Sequence, residues 1–346
     1  MTTEQPIEST GNPPVVVAML TYKRPADLAE AIPQILRHTA ATTPPTTLMV
    51  VDNDPAGSAA DAVAAFAADG VMYVNETTPG IAAARNRAID EVAADTLLIF
   101  IDDDERPLDD WLTLMLATYQ EYRSAAVVGP VISEYEVEPE EWIAAGRFFD
   151  RRRLRTGTAV DVAATNNLLL DLAQIHRFGL RFDEKFGQSG GSDTLFTRQL
   201  VRRGGQLIWC DEAIVIDKVP ASRLTRRWVL HRAFRSGNSW TRTSLELAGS
   251  ARQRLLVRLQ TTGIGSLRLA GGLARAVRGL VTRSTGQRVR GIRTMARGAG
   301  MASGAFGYVY HEYRRKPAAV TAPAAEASSV SNAGVSNAGV SNTVAS

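Results

Sequence analysis

Along the front of the chain, short unbroken apolar runs alternate with longer, helix-periodic stretches. Residues 15–20 (VVVAML), 47–51 (TLMVV), 71–74 (VMYV) and 96–101 (TLLIFI) are such runs. Each is too short for a helix and apolar almost throughout, which predicts a strand buried on both faces of a parallel sheet. The stretches between them read as helices: residues 25–37, opened by Pro25 and Asp27, the alanine-rich 59–68, 81–93 after Gly80, and 109–122. Residues 126–131 read as one further strand. The alternation predicts an α/β fold, a mostly parallel Rossmann-like sheet with flanking helices. Ligands of such sheets sit beyond the carboxyl ends of the strands. Those ends carry Thr21-Tyr22-Lys23-Arg24, Asp52-Asn53-Asp54 and Asp102-Asp103-Asp104, polar groups of the kind a nucleotide needs.

Beyond this the pattern changes. Residues 135–220 are less regular and read as α+β, completing a cleft. From Thr225 the chain is helical, basic and amphipathic. Residues 317–346 repeat VSNAG and hold few large apolar residues, which predicts disorder. The expected organisation is a flexible leader over 1–13, an α/β domain over 14–220, a basic helical region over 221–316 and a low-complexity tail over 317–346. Net charge sharpens the division. Residues 1–220 carry net −14 and residues 221–316 net +18, which implies different partners for the two halves. The single Cys210 excludes an intrachain disulfide and a multi-cysteine zinc site. The start lacks the basic and apolar segments of a secretory signal, and no apolar run is long enough to span a bilayer. The expected setting is the cytoplasm, with peripheral attachment at the inner face of the cell membrane open.

The aspartate triplet follows the fourth apolar run. Adjacent carboxylates repel one another, and a divalent cation would offset that repulsion. Hard oxygen ligands select Mg²⁺ or Mn²⁺. Residues i and i+2 of an extended chain point the same way, so Asp102 and Asp104 can face one metal. A metal there would bind a nucleotide's diphosphate, with Asp103 beside it. The bland alternative is a solvated acidic turn.

Taken together, V-V-x-x-x-T-Y-K-R-P, V-V-D-N, G-x-x-x-A-R-N and F-I-D-D-D-E-x-P resemble glycosyltransferase family 2, over roughly residues 14–240. G-G-S-D-T-L-F and W-x-x-x-R-x-x-R-x-G resemble its bacterial polysaccharide-biosynthesis branch. The resemblance implies the GT-A fold and inverting transfer of a sugar from a nucleotide-sugar donor to a glycan, lipid-linked or small-molecule acceptor. It also implies roles. Thr21, Tyr22 and Arg24 would hold the nucleoside and phosphate, Asp52 the base, and Arg85 the donor. Asp193, preceded by Gly190 and Gly191, would be the base that takes the acceptor's proton. Plainer readings stand beside these: Arg24 as a solvated helix start, Asp52 and Asn53 as turn caps, Arg85 as a surface residue and Asp193 as a helix cap. The sequence departs from the family at two points. Ser192 stands where relatives carry a second acid, and the stretch 214–220 lacks their metal-binding histidine, leaving Asp217, Lys218 or a water in its place.

Asn166, in an expected loop, is a further candidate for sugar contact. Trp228, Arg232 and Arg235 share a helical face, where the arginines can clamp a diphosphate. Farther on, leucines alternate with arginines through residue 280. That pattern suits either a helix lying on anionic lipid or a helical domain packed on the core. Nothing in it supports sequence-specific nucleic-acid binding. The rival functions are a nucleotidyltransferase, though the usual glycine-rich phosphate loop after the first strand is not visible, and an inactive sugar-nucleotide or membrane-binding protein.

Overall fold

The four apolar runs form strands, as their pattern requires. In the computed structural model β1 (Val15–Thr21), β2 (Thr46–Asp52), β3 (Met72–Asn75) and β4 (Leu97–Asp102) pair in parallel in the order β3-β2-β1-β4. Residues 13–42 and 46–310 are described, within one compact unit. The expected leader, Pro13 apart, and the expected tail lie outside them. Helices α1 (Pro25–Ala40), α2 (Ala60–Ala64), α3 (Ile81–Asp90) and α4 (Trp111–Tyr122) connect or follow the strands.

Alternation along residues 15–20 shows why that part of β1 holds no polar residue. Val15, Val17 and Met19 pack with Leu28, Ile32 and Ile35 of α1 and with Trp111 and Met115 of α4. Val16, Ala18 and Leu20 face the opposite layer, with Ala82, Ala88 and Ile89 of α3. Successive side chains point to opposite faces, so a strand covered on both sides must be apolar at every position.

The strands β5 (Glu105–Pro107), β6 (Ala126–Val128), β7 (Val131–Tyr135), β8 (Asn167–Asp171), β9 (Leu207–Trp209) and β10 (Val215–Val219) complete two sheets. The larger runs β3-β2-β1-β4-β8-β6-β9, with β8 antiparallel to both its neighbours. The smaller is β5-β10-β7. The strand expected over 126–131 is therefore two strands in two sheets. Pro130 has no N–H for a central ladder, and a Cβ on Gly129 would lie 2.3 Å from the Ala213 carbonyl oxygen. The helix expected over 59–68 is also shorter. It stops at Ala64, and a 3₁₀ turn then leads to Gly70 at φ +76°.

Short helices α5 (Glu141–Gly146) and α6 (Leu172–Arg177) and the longer α7 (Ser192–Arg202) fill the irregular middle. The basic back half is three long helices: α8 (Arg226–Glu246), α9 (Ala251–Val281) and α10 (Thr285–Ala305). Thr225, Ser250 and Ser284 cap them, each accepting a backbone N–H three residues on. α10 packs on α9, α8 and α5. Among the described residues no helix is long and apolar enough to cross a membrane.

Candidate active site

Parallel register brings the first and fourth strand ends together. Leu20 pairs with Asp102, so Thr21 reaches the aspartate triplet. The Thr21 hydroxyl donates to Asp103 Oδ2 at 2.7 Å. Arg24, at the start of α1, places Nη1 2.8 Å from Asp103 Oδ1 and 3.0 Å from Asp104 Oδ2. Burial opposes the Arg24 charge, but Asp103 and Asp104 outweigh it, and its pKa is raised. A second guanidinium arrives from the far side: Arg223 Nη2 donates to Asp104 Oδ2 at 3.1 Å. The repulsion among the aspartates is thus offset by two arginines.

The small sheet adds more carboxylates. Asp217 on β10 stands opposite Glu105 on β5, and both are buried. Arg151 Nη2 donates to Asp217 at 2.6 Å, with Arg223 3.8 Å from the same carboxylate. Asn166 Nδ2 donates to Glu105 Oε1 at 2.6 Å, while Glu105 Oε2 accepts the Asp102 N–H at 3.0 Å. Burial, with Asp102 nearby, pushes Glu105 well above the usual carboxylate range. Burial and the neighbouring Asp104 push Asp102 up to about 7. A divalent cation would reverse that cost by supplying positive charge. Among the described residues no three His, Cys, Asp or Glu side chains converge as a closed metal site. Magnesium-like ions commonly take only one or two carboxylates and complete their shell with substrate phosphates and water. Asp102 and Asp104 fit that kind of donor set, whereas the histidines do not: His231 instead lies 3.3 Å from the Tyr310 hydroxyl.

On the other side of Asp102 lies Arg85. This residue is buried on α3, not on the surface, and feels the Asp102 charge. Its Nη1 donates to Ser192 Oγ at 2.8 Å. Ser192 opens α7, and Asp193 follows it, with Oδ1 accepting the Thr194 N–H at 2.6 Å. The preceding Gly190 and Gly191 have φ of +74° and +98°, and a Cβ on Gly191 would press on Ser239 and Thr243 of α8 at 3.3 Å. Only glycine takes that conformation at little cost. Arg85 therefore ties α3 to the start of α7, at the residue beside the candidate base.

Two groups of candidates flank this cluster. Asp52 is fully buried and turned into its own loop. Its oxygens accept the N–H of Asp54 at 3.0 Å, the N–H of Ala59 at 2.7 Å and the Tyr73 hydroxyl at 3.2 Å. Asn53 ties that loop to the start of α3 through Glu76, Thr78 and Gly80. Tyr22 is exposed at the mouth, with the Lys23 ammonium 5.4 Å from its ring centroid. Arg232 and Arg235 line a separate pocket of about 230 Å³ with Trp228, His231 and Tyr310. Arg232 stacks over Phe149 and Trp228, and burial beside Arg151 and Arg235 lowers its pKa to about 10.

Arg223, Arg151 and Glu105 were not singled out by sequence. Arg223 and Asp104 are 119 residues apart, and only the β5–β10 pairing makes them neighbours.

A model of the family described as Glycosyl transferase family 2 matches residues 16–172. The succinoglycan biosynthesis protein ExoM of Rhizobium meliloti (strain 1021) is 32% identical over 240 residues, covering 68% of this chain and 77% of that protein. Among solved structures, mannosyltransferase PcManGT from Pyrobaculum calidifontis, in complex with GDP-Man and Mn²⁺, is similar with a TM-score of 0.55 at 16% identity, over 83% of this chain and 86% of that one. S. aureus TarS 1-349 is similar at a TM-score of 0.50 and 12% identity, over 80% and 90% of the two chains. The matched segment runs from β1 to the first residue of α6, and the structural likeness extends the same fold past it: the chain belongs to glycosyl transferase family 2 and is a glycosyltransferase of the GT-A fold.

Proposed function

We propose that this glycosyltransferase moves a sugar, with inversion, from a nucleoside-diphosphate sugar to a hydroxyl of a glycan or lipid-linked glycan during bacterial polysaccharide assembly. The observation that carries the reading is the acidic end of β4, where Thr21 and Arg24 meet Asp103 and Asp104, together with the Arg85–Ser192 hydrogen bond beside Asp193. In this reading the strand end would take the diphosphate, and Asp193, next to Ser192, would be the base. The likeness to ExoM supports the polysaccharide assignment, and PcManGT, solved with GDP-Man and Mn²⁺, supports the donor class and the metal.

In this reading Asp193 accepts the proton of the attacking hydroxyl. The serine at 192 leaves the acid work to one residue. Thr21, Tyr22 and Arg24 form one wall of the nucleoside pocket, and Asp52 shapes that wall by holding the turn to Ala59. Asp102 and Asp104 would hold Mn²⁺ or Mg²⁺, with Asp103 keeping Arg24 in place. The metal, when bound, supplies positive charge against the diphosphate as it departs. Arg24 and Arg223, both paired with Asp104, would bring positive charge to the phosphate oxygens of the donor. Arg232 and Arg235 extend the same cationic surface, and Asn166 fixes Glu105 under it. A cytoplasmic setting fits a lone, buried thiol.

The test is product analysis with candidate nucleotide sugars, Mn²⁺ and glycan acceptors. Release of nucleoside diphosphate with an inverted anomer is expected, with loss of turnover in a chelator. Release of pyrophosphate from a nucleoside triphosphate would instead identify a nucleotidyltransferase.

A further inference from the structure

Helix α9 wears its large apolar side chains on the outside. Leu255, Leu256, Leu259, Leu273, Val277 and Leu280 are each at least half exposed, and Val281 is 78% exposed. Its buried seam is Thr261 and three glycines. Gly265, Gly272 and Gly279 recur every seventh residue and meet α10 backbone to backbone. A Cβ on Gly272 would lie 2.7 Å from the Gly291 carbonyl oxygen, and one on Gly265 would lie 2.9 Å from that of Gly298. This is the reverse of a helix folding in water, which turns leucine inward. Small residues at the helix contact with large ones outward is the arrangement helices adopt where apolar surroundings cover the outer face.

Charge identifies the covering medium. Residues 251–305 hold eleven arginines and no aspartate or glutamate. Arg252, Arg258 and Arg278 are exposed along α9 itself. A second copy of the chain would bring a like-charged hairpin against this one, a repulsive approach. A lipid surface rich in anionic headgroups would gain from both the leucines and the arginines, since each basic residue near such a surface adds to the attraction. The helix spans roughly 46 Å at ~1.5 Å per residue but carries too many charges to cross a bilayer, so it suits the interface plane.

We propose that the outer face of α9 is a membrane-docking surface for anionic lipid, with α10 as the layer between it and the catalytic domain. The inference is independent of the sugar-transfer reading, because vesicle binding needs neither donor nor acceptor. The full-length chain would be floated with vesicles of phosphatidylcholine alone and of phosphatidylcholine with phosphatidylglycerol. Binding to the anionic vesicles is expected to be at least about tenfold stronger, and to weaken with added salt. A variant carrying Leu256→Glu, Leu259→Glu and Val277→Glu should lose it, as should one carrying Arg252→Gln, Arg258→Gln and Arg278→Gln. Because these side chains point outward, both variants should keep the parent's far-UV circular dichroism. Equal binding to neutral and anionic vesicles would overturn the proposal. So would absence of vesicle binding together with a dimer, by light scattering, that the glutamate variant dissolves; α9 would then be a contact between copies.

Discussion

The end of β4 and the outer face of α9 break the same rule in opposite directions. At the strand end, charged side chains are buried: Asp103, Glu105, Arg106 and Asp217 are all less than a tenth exposed. On the helix, leucines face water and glycines are hidden. Ordinary folding puts apolar groups inside and leaves charges at the surface. Each exception carries a cost, and the costs differ in kind. The buried carboxylates need counter-charges, which Arg24, Arg151 and Arg223 supply from elements distant in sequence. The exposed leucines are left uncovered by any of the described residues. A site that does chemistry satisfies itself internally before substrate arrives, while a docking face stays unsatisfied until it docks.

The comparison is broken most sharply at the strand-end site. Asp193→Asn should lower turnover by about two orders of magnitude or more, the usual loss for a general base, while donor binding stays near the parent's. Near-normal turnover would remove Asp193 from the mechanism. Asp104→Ala should weaken Mn²⁺-dependent donor binding by about tenfold to a hundredfold, at least what loss of a metal's outer partners costs. Titration calorimetry with and without Mn²⁺ measures it, and an unchanged metal dependence would strip Asp104 of that role. Ser192→Ala should cost roughly tenfold in turnover, because it strands the buried Arg85 guanidinium without its partner. Unchanged kinetics would mean that Arg85 is held by its stacking on Phe182 alone.

The fold was legible in sequence wherever one period dominated. Residues 15–20 and 96–101 read as buried strands because both faces of the sheet are covered. The cut at Gly129-Pro130 was not legible, because an apolar run does not show which sheet each half joins. The aspartate triplet and the Gly190–Asp193 stretch are visible as local motifs, but their electrostatic surroundings are not. Arg223 and Arg151 sit in arginine-rich stretches where any of several could have been the partner. The β10 register alone selects Arg223 for Asp104 and Asp217. Asp52 shows the converse: the sequence marks a carboxylate at a strand end, and only the structure shows its oxygens engaged by Ala59, Asp54 and Tyr73. The inside-out polarity of α9 is likewise invisible to periodicity. A glycine every seven residues and a leucine stripe define two faces without saying which faces the core.

The two faces of the back half can be told apart by stability. Gly300→Ala would drive a Cβ to 1.9 Å from the Phe234 carbonyl oxygen of α8. Backbone cannot yield as a flexible side chain can, so a loss of roughly 1–3 kcal/mol is expected, read as a lower denaturant midpoint. Leu256→Glu should do the least of all. A leucine half in water at this position has little burial to lose, and a surface change away from caps and pairs stays within about 0.5 kcal/mol. The charge it adds lies among arginines, which if anything favours the folded form. An unchanged midpoint, in a protein that Gly300→Ala destabilises, would mean the leucine face is kept for something other than folding. A loss of 2 kcal/mol or more, about the full burial of a leucine, would mean the face is already covered within the chain, and the contrast between chemistry at β4 and docking at α9 would fail.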